Sequence, residues 1–128
     1  MRILVDTNAA LWAVLDSPRL SARAKQILAD TETAGLISLA SVWEIAIKYH
    51  SGRLPLPETP EQLLDRLVRD LELTLLPIEA SHVFKAASLP LHHRDPFDRM
   101  LVAQAILEEV PILSADAHLT RYPVQVLW

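Results

Sequence analysis

Carboxylates recur in this sequence where an apolar run gives way to a helical pattern. Packed carboxylates raise one another's pKa, so a group of them stays ionised only around a cation. Their hard oxygen ligands prefer Mg²⁺ or Mn²⁺ to zinc or copper, and an ion held in this way can activate water. These acids are Asp6, Glu44, the pair Asp95 and Asp98, and Asp116.

Two of these acids have a structural explanation when each is taken alone. Asp6 follows a short apolar run and precedes a helical pattern, which suits an N-cap. Ser41 and Glu44 have the spacing of a capping box, and Glu44 also stands one helical turn before Lys48. Helix capping therefore competes with metal binding as the role of these side chains.

The later acids show the same ambiguity. Asp95 precedes Pro96 as an N-cap precedes proline at the first helical position, and Asp98 is then an acid of the first turn. Asp116 suits the cap of a short helix. Capping does not require acids at four separate junctions along one edge of a sheet, so their conjunction favours a functional site.

The elements that must position these acids alternate between strands and helices. Apolar runs predict strands at 2–5, 35–39, 73–77, 111–113 and 124–127. Helical patterns follow at 9–15, 21–28, 41–50, 60–71, 79–88, 96–107 and 116–120. Strands that are apolar on both faces predict a three-layer α/β/α sandwich with a central, mainly parallel sheet, as one domain over residues 1–128. Ligands of such sheets bind beyond the carboxyl ends of the strands.

Composition excludes several other classes of protein. Two glycines among 128 residues leave no phosphate-binding loop and no dinucleotide fingerprint. The absence of cysteine removes disulfides, thiolate catalysis and sulfur-ligated zinc, and the five histidines lack zinc-site spacing. An acid at position six interrupts any signal-peptide region, and no apolar run is long enough to span a membrane. We expect a soluble, cytoplasmic protein.

The net charge of −4 argues against a broad basic surface for nucleic acid. A metal centre changes this argument, because bound cations neutralise their ligands. Without Asp6, Glu44, Asp98 and Asp116, twelve acids remain against twelve lysines and arginines. The negative charge is then mostly the predicted site itself.

Four segments of the chain resemble the PIN domain and, within it, the VapC-type toxins of bacterial toxin–antitoxin pairs. They stand in the family's order over nearly the whole chain, and the string His-Arg-Asp-Pro-Phe-Asp-Arg is the most specific of them. The segments are Ile3-Leu-Val-Asp-Thr-Asn8, Ser41-Val-Trp-Glu-Ile-Ala-Ile-Lys48, His93-Arg-Asp-Pro-Phe-Asp-Arg-Met-Leu-Val-Ala-Gln-Ala105 and Leu113-Ser-Ala-Asp116.

This resemblance implies a metal-dependent endoribonuclease that an antitoxin inhibits and that is usually dimeric. Carried over by position, Asp6, Glu44, Asp98 and Asp116 form the acidic site. Asp98 precedes the alanine-containing helix as the corresponding family acid does, so we prefer it to Asp95 as a metal ligand. Asp95 is then a helix cap or a hydrogen-bond partner of the ligands.

The chemistry that we expect is hydrolysis of a phosphodiester with Mg²⁺ or Mn²⁺. Asp6 and Asp98 coordinate the ion, while Glu44 and Asp116 hold its waters, a second ion or the proton of the nucleophile. In-line attack by water then leaves a 5′-phosphate and a 3′-hydroxyl.

Neighbouring polar residues could assist at such a site. Thr7 and Asn8 either orient a ligand water or phosphate, or cap the first helix. Arg99 either contacts RNA phosphate or pairs with a nearby acid. Ser114 either binds a metal-held water or begins a turn.

Histidines and tryptophans receive simpler predictions. We expect His92 and His93 on the surface of a loop rather than acting as a general base. Trp12 and Trp43 lie in apolar, helix-periodic surroundings, which favours core or interface positions over stacking on bases.

A mean hydropathy of +0.21 predicts that another chain covers some apolar surface. A homodimer and a cognate antitoxin are both candidates, with a heterotetramer or larger complex when they combine. The antitoxin is expected to place an Arg or Lys among the acids.

Two other classes compete with the nuclease. A phosphatase or phosphoryl-transfer enzyme also places acids at strand ends, but Asn8 stands where a second acid would follow Asp6, and no late-strand lysine is present. A non-catalytic PIN-like interaction module is disfavoured because all four acids are intact.

Overall fold

The structure, a computed structural model, describes all 128 residues as a parallel sheet between layers of helices. Its strands are β1 (Arg2–Val5), β2 (Ala34–Ser38), β3 (Thr74–Leu76), β4 (Ile112–Leu113) and β5 (Val126–Leu127). Its helices are α1 (Thr7–Val14), α2 (Ala22–Ala29), α3 (Leu39–His50), α4 (Pro60–Arg69), α5 (Ala80–Ser88) and α6 (Pro96–Glu108). A short 3₁₀ helix covers Ala117–Arg121 between β4 and β5.

The sheet changes its direction of growth at β1. Its strand order is β3-β2-β1-β4-β5, and every neighbouring pair is parallel. The chain first builds outward through β2 and β3, then returns to add β4 on the other side of β1. In such sheets a crevice opens beyond the carboxyl ends of the strands at this switch point, which here lies between β1 and β4.

Two separate cores cover the two faces of the sheet. Successive side chains of β1 alternate between them, with Ile3 and Val5 in one core and Leu4 in the other. The first core is completed by α1, α2, α3 and α4, and the second mainly by α6 with the 3₁₀ segment. The predicted three-layer sandwich is therefore confirmed.

The start of α3 differs from the prediction. Ser38 ends β2 in an extended conformation, and its hydroxyl accepts a hydrogen bond from the Ala40 amide at 3.0 Å, so it is the N-cap. Ser41 lies inside the helix and is buried. The predicted capping box of Ser41 and Glu44 is wrong, because the turn between β2 and α3 is tighter than the spacing suggested.

The start of α6 agrees with the prediction. The Asp95 carboxylate accepts hydrogen bonds from the amides of Phe97 and Asp98, and Pro96 occupies the first helical position. The helix runs for 13 residues and ends at Glu109, whose φ of 55° is left-handed. No helix in the protein combines the length and apolarity needed to cross a membrane.

Candidate active site

All four acids of the predicted site meet at the carboxyl edge of the sheet. Asp6 directly follows β1, and its backbone amide donates to the Leu113 carbonyl of β4 at 3.1 Å. It lies close enough to Asp116 and Glu44 for their charges to raise its pKa, and Asp98 is affected in the same way by Glu44 and Asp6. The switch point between β1 and β4 therefore holds a four-carboxylate cluster.

Asp6 combines helix capping with a place in this cluster. One carboxylate oxygen accepts from the Ala9 amide at 2.7 Å, as an N-cap does. Burial is the largest cause of its raised pKa, opposed by hydrogen bonds from Ser114 and Ala9. The two roles predicted for Asp6 are thus compatible in one side chain.

Asp98 is the acid whose ionisation the site changes most. Burial, and then the neighbouring charge of Asp95, raise its pKa to about 7, while His93 opposes the shift. Without a cation, about half of these side chains are protonated at neutral pH. A divalent ion would stabilise the ionised form, so the clustered carboxylates fit a hard, oxygen-ligated metal such as Mg²⁺ or Mn²⁺.

Glu44 forms an ion pair with one lysine, Lys48. It is buried, and one of its oxygens accepts from the Lys48 ammonium at 2.7 Å, which confirms the predicted pair one helical turn apart. The Lys48 side chain remains 42% exposed and leads from the cluster toward solvent.

His93 is a member of the site that the sequence did not reveal. Its Nε2 lies 3.1 Å from an Asp98 oxygen and 3.3 Å from an Asp116 oxygen. The prediction of a loop-surface residue is wrong for His93, whose side chain is only 20% exposed, and right for His92, which is exposed and packs on the Tyr122 ring. The available signal was its position two residues before Asp95 in the most specific motif.

Arg99 bonds to the backbone of a neighbouring loop rather than to an acid. Its guanidinium donates to four backbone carbonyls and to no carboxylate, because α6 carries it back across the loop that leads from α5 to the site. The acceptors are the carbonyls of Ala86 and Leu89 at 2.9 Å, Pro90 at 3.0 Å and His93 at 3.3 Å. With both terminal nitrogens bonded to carbonyls, Arg99 anchors the loop that carries His93. The predicted pairing with an acid is wrong, and the contact with RNA phosphate stays a prediction.

We therefore expect Arg99→Ala to loosen the loop and weaken the site. Four carbonyls lose a charged donor, which should lower the free energy of unfolding by about 2 kcal/mol. Chemical denaturation measures this loss, and Arg23→Ala, at an exposed arginine of α2, is the control. Equal stability of the two variants would contradict the anchoring role.

Two of the smaller polar residues of the prediction, Thr7 and Ser114, make hydrogen bonds inside the protein. The Thr7 hydroxyl donates to Ser41 at 2.8 Å in a buried contact, and Asp6, rather than Thr7 or Asn8, caps α1. Ser114 accepts from the Asp116 amide at 3.0 Å and hydrogen-bonds Asp6. Asn8 is exposed. The Asp95 carboxylate accepts from the first amides of α6 and so caps that helix.

The tryptophans divide between core and surface. Trp12 packs against the first core, as predicted, and it also meets the Trp128 ring edge-on at 5.7 Å. Trp43 is 61% exposed and meets the Phe97 ring at 5.4 Å, so a core position is wrong for it.

Two pockets flank the start of α6. One, of about 350 Å³, includes three cationic side chains, Lys48, Arg53 and Arg94, beside Glu44 and Asp95. The other, of about 220 Å³, is apolar and includes Trp43. Both pockets share Pro96 and Phe97, so a cationic and an aromatic surface adjoin the carboxylates.

Comparisons with known proteins agree with this architecture. A family model described as the PIN domain matches residues 3–125. Ribonuclease VapC16 of Mycobacterium tuberculosis (strain ATCC 25618 / H37Rv) is 36% identical over 69 residues, which cover 51% of this chain and 49% of that protein. The matched chain thus spans about half the length of this relative.

Solved structures resemble the whole chain. A crystal structure of VapBC2 from Rickettsia felis bound to a DNA fragment from their promoter has a TM-score of 0.72 at 15% identity, covering 99% of this chain and 98% of the other. A toxin–antitoxin complex from Klebsiella pneumoniae has a TM-score of 0.67 at 18% identity, covering 98% and 96%. At these identities the likeness concerns the fold.

Proposed function

The chain belongs to the PIN domain family, and from this premise we propose that it is a metal-dependent endoribonuclease, the toxin of a toxin–antitoxin pair in the cytoplasm. The observation that carries the proposal is the meeting of Asp6, Glu44, Asp98 and Asp116 at the switch point, with the pKa of Asp98 raised to about 7. Four carboxylates this close together, of which only Glu44 is paired with a lysine, favour a bound divalent cation. The ribonuclease name of the 36%-identical relative supports the reaction class.

In this proposal Asp6 and Asp98 hold Mg²⁺ or Mn²⁺, and Glu44 and Asp116 act around it. The bound ion supplies water activation and neutralises charge on the phosphate. Glu44 and Asp116 orient the attacking water, and one of them accepts its proton. As the new phosphorus–oxygen bond forms, the bond to the 3′ oxygen breaks and that oxygen takes a proton, leaving a 3′-hydroxyl and a 5′-phosphate.

The cationic pocket supports RNA as the substrate. Lys48, Arg53 and Arg94 line it beside Glu44 and Asp95, which would bring the phosphates flanking the scissile bond next to the acids. This local positive surface offsets the overall charge of −4.

Exchanging Arg53 and Arg94 for Gln together should therefore weaken RNA binding and reduce its dependence on salt. Each phosphate contact contributes about 0.7 to the slope of log affinity against log salt for a single strand, so the slope should fall by about 1.4. Fluorescence anisotropy at several salt concentrations, in EDTA to prevent cleavage, measures it. The double exchange of Arg23 and Arg69 for Gln, at exposed sites outside the pocket, is the control. Equal slopes for the two double variants would contradict the proposed contact between RNA phosphates and this pocket.

Exposed apolar side chains support protein partners. Leu39, Trp43 and Ile47 are exposed at successive turns of α3, and Phe84 of α5 is 74% exposed. Surfaces of this kind are usually covered in a complex. We propose a homodimer and a cognate antitoxin as the partners, joined in a heterotetramer or larger assembly.

The test is cleavage of a panel of tRNA, rRNA and synthetic RNA by purified, antitoxin-free protein in Mg²⁺, Mn²⁺ or EDTA. We expect cleavage only with a divalent ion, and products that a 5′-phosphate-dependent exonuclease degrades. Cleavage that persists in EDTA, or that gives cyclic-phosphate ends, would contradict the proposed mechanism.

A further inference from the structure

The His93 ring is held in one tautomer by the backbone next to it. Its Nδ1 lies 3.2 Å from the Asp95 amide nitrogen, which can only donate. Nδ1 must therefore present its lone pair, and the neutral ring carries its proton on Nε2. This assignment follows from the hydrogen-bond partners.

The Nε2–H group then lies against two carboxylates of the cluster. It donates a hydrogen bond to Asp116 at 3.3 Å, and Nε2 lies 3.1 Å from an Asp98 oxygen. These carboxylates come from α6 and from the turn after β4. His93 is the one side chain that contacts both of them in this way. One N–H thus joins two separate parts of the site.

The backbone of His93 is anchored as well as its ring. Its amide donates to the Tyr122 hydroxyl at 3.0 Å, and its carbonyl accepts from Arg99 at 3.3 Å. The Tyr122 hydroxyl in turn donates to the Pro90 carbonyl at 2.8 Å. A side chain held this firmly can orient its partners.

We propose that His93 is a positioning residue that sets Asp98 and Asp116 for a divalent cation through its Nε2–H and does not itself bind the metal. The inference rests on the proposed function in one respect, namely that the carboxylate cluster binds a divalent cation. To coordinate through Nε2, the ring would have to move its proton to Nδ1, against the Asp95 N–H, or become an anion. The residues therefore form a site with oxygen ligands alone, which selects Mg²⁺ and Mn²⁺ over ions that prefer nitrogen.

The wild-type protein loaded with Mn²⁺ tests the coordination directly. Pulsed EPR should show no strong coupling from a directly bound imidazole nitrogen. Such a coupling, if it disappears in His93→Leu, would overturn the proposal without any measurement of RNA cleavage.

Three variants test the positioning role through Mn²⁺ affinity, measured by calorimetry. His93→Leu removes the donor and should weaken binding at least about 10-fold. His93→Gln returns an amide N–H at similar reach and should recover most of that loss. His92→Leu makes the same change at the exposed neighbouring histidine and should bind as wild type does.

Equal Mn²⁺ affinity of His93→Leu and His92→Leu would overturn the proposal, as would failure of His93→Gln to improve on His93→Leu. If the affinities follow the expected order while no RNA is cleaved, the positioning role stands and the ribonuclease function fails. Circular dichroism of each variant confirms that it is folded.

Discussion

Asp98→Asn should lower metal-dependent RNA cleavage by about 10³-fold or more while the protein stays folded. The amide keeps the size of the side chain and its place beside His93, but it cannot supply the negative charge that a divalent ion needs. The raised pKa of Asp98 shows that the fold holds this carboxylate against its own electrostatic preference. Removing the charge should therefore cost function and not stability.

The measurement is single-turnover cleavage of an RNA that the wild type cuts, with Mn²⁺ in excess. Asp65→Asn is the matched control, because Asp65 is an exposed acid of α4 outside the cluster and the chemical change is the same. It should cleave as wild type does. Residual cleavage equal in wild type and Asp98→Asn would point to a contaminating nuclease and remove the catalytic role of the cluster.

The metal-free protein should lose stability as pH rises from 5 to 8. Asp98 has a pKa of about 7 when folded, against an ordinary value of about 3.9 when unfolded. Between these values the folded state binds more protons than the unfolded state, so the free energy of unfolding falls with rising pH. The raised pKa of Asp6 adds a loss of the same sign.

We expect a loss of about 2 kcal/mol over this range, which corresponds to a fall in Tm of roughly 7 °C. Thermal unfolding in EDTA at pH 5 and pH 8 measures it. Asp98→Asn should show a smaller fall and a higher Tm than wild type at pH 8, whereas Asp65→Asn should follow wild type. Adding Mn²⁺ at pH 8 should raise the Tm of wild type more than that of Asp98→Asn.

A wild-type Tm that is constant or rises between pH 5 and 8 would contradict the electrostatic account of the cluster. So would an equal fall in Asp98→Asn, because the dependence would then come from other groups.

The fold followed from the sequence because its signals are local. Runs such as Ile3–Val5 are apolar on both faces, and the helices between the strands carry caps such as Ser21 and Asp95. Parallel pairing then brings the junction acids to one edge, so the cluster could be predicted without coordinates. Local signals determine helix boundaries less closely, as the start of α3 shows.

The parts of the site that the sequence did not reveal depend on contacts between distant segments. His93 was predicted as loop surface because its burial depends on Asp116 and Tyr122, more than 20 residues further along the chain. Arg99 sits beside an acid in the sequence, but the path of the 89–94 loop turns its guanidinium to carbonyls. Such loop paths have no periodic signal in the sequence.

The central claim is that Asp6 and Asp98 hold the divalent cation on which cleavage depends. It is tested most directly by anomalous diffraction from crystals of the antitoxin-free protein containing Mn²⁺. We predict a manganese peak at the switch point between β1 and β4, within coordination distance of carboxylate oxygens of both residues. A peak elsewhere on the protein, or none at millimolar Mn²⁺ with Asp6 and Asp98 well ordered, would contradict the claim.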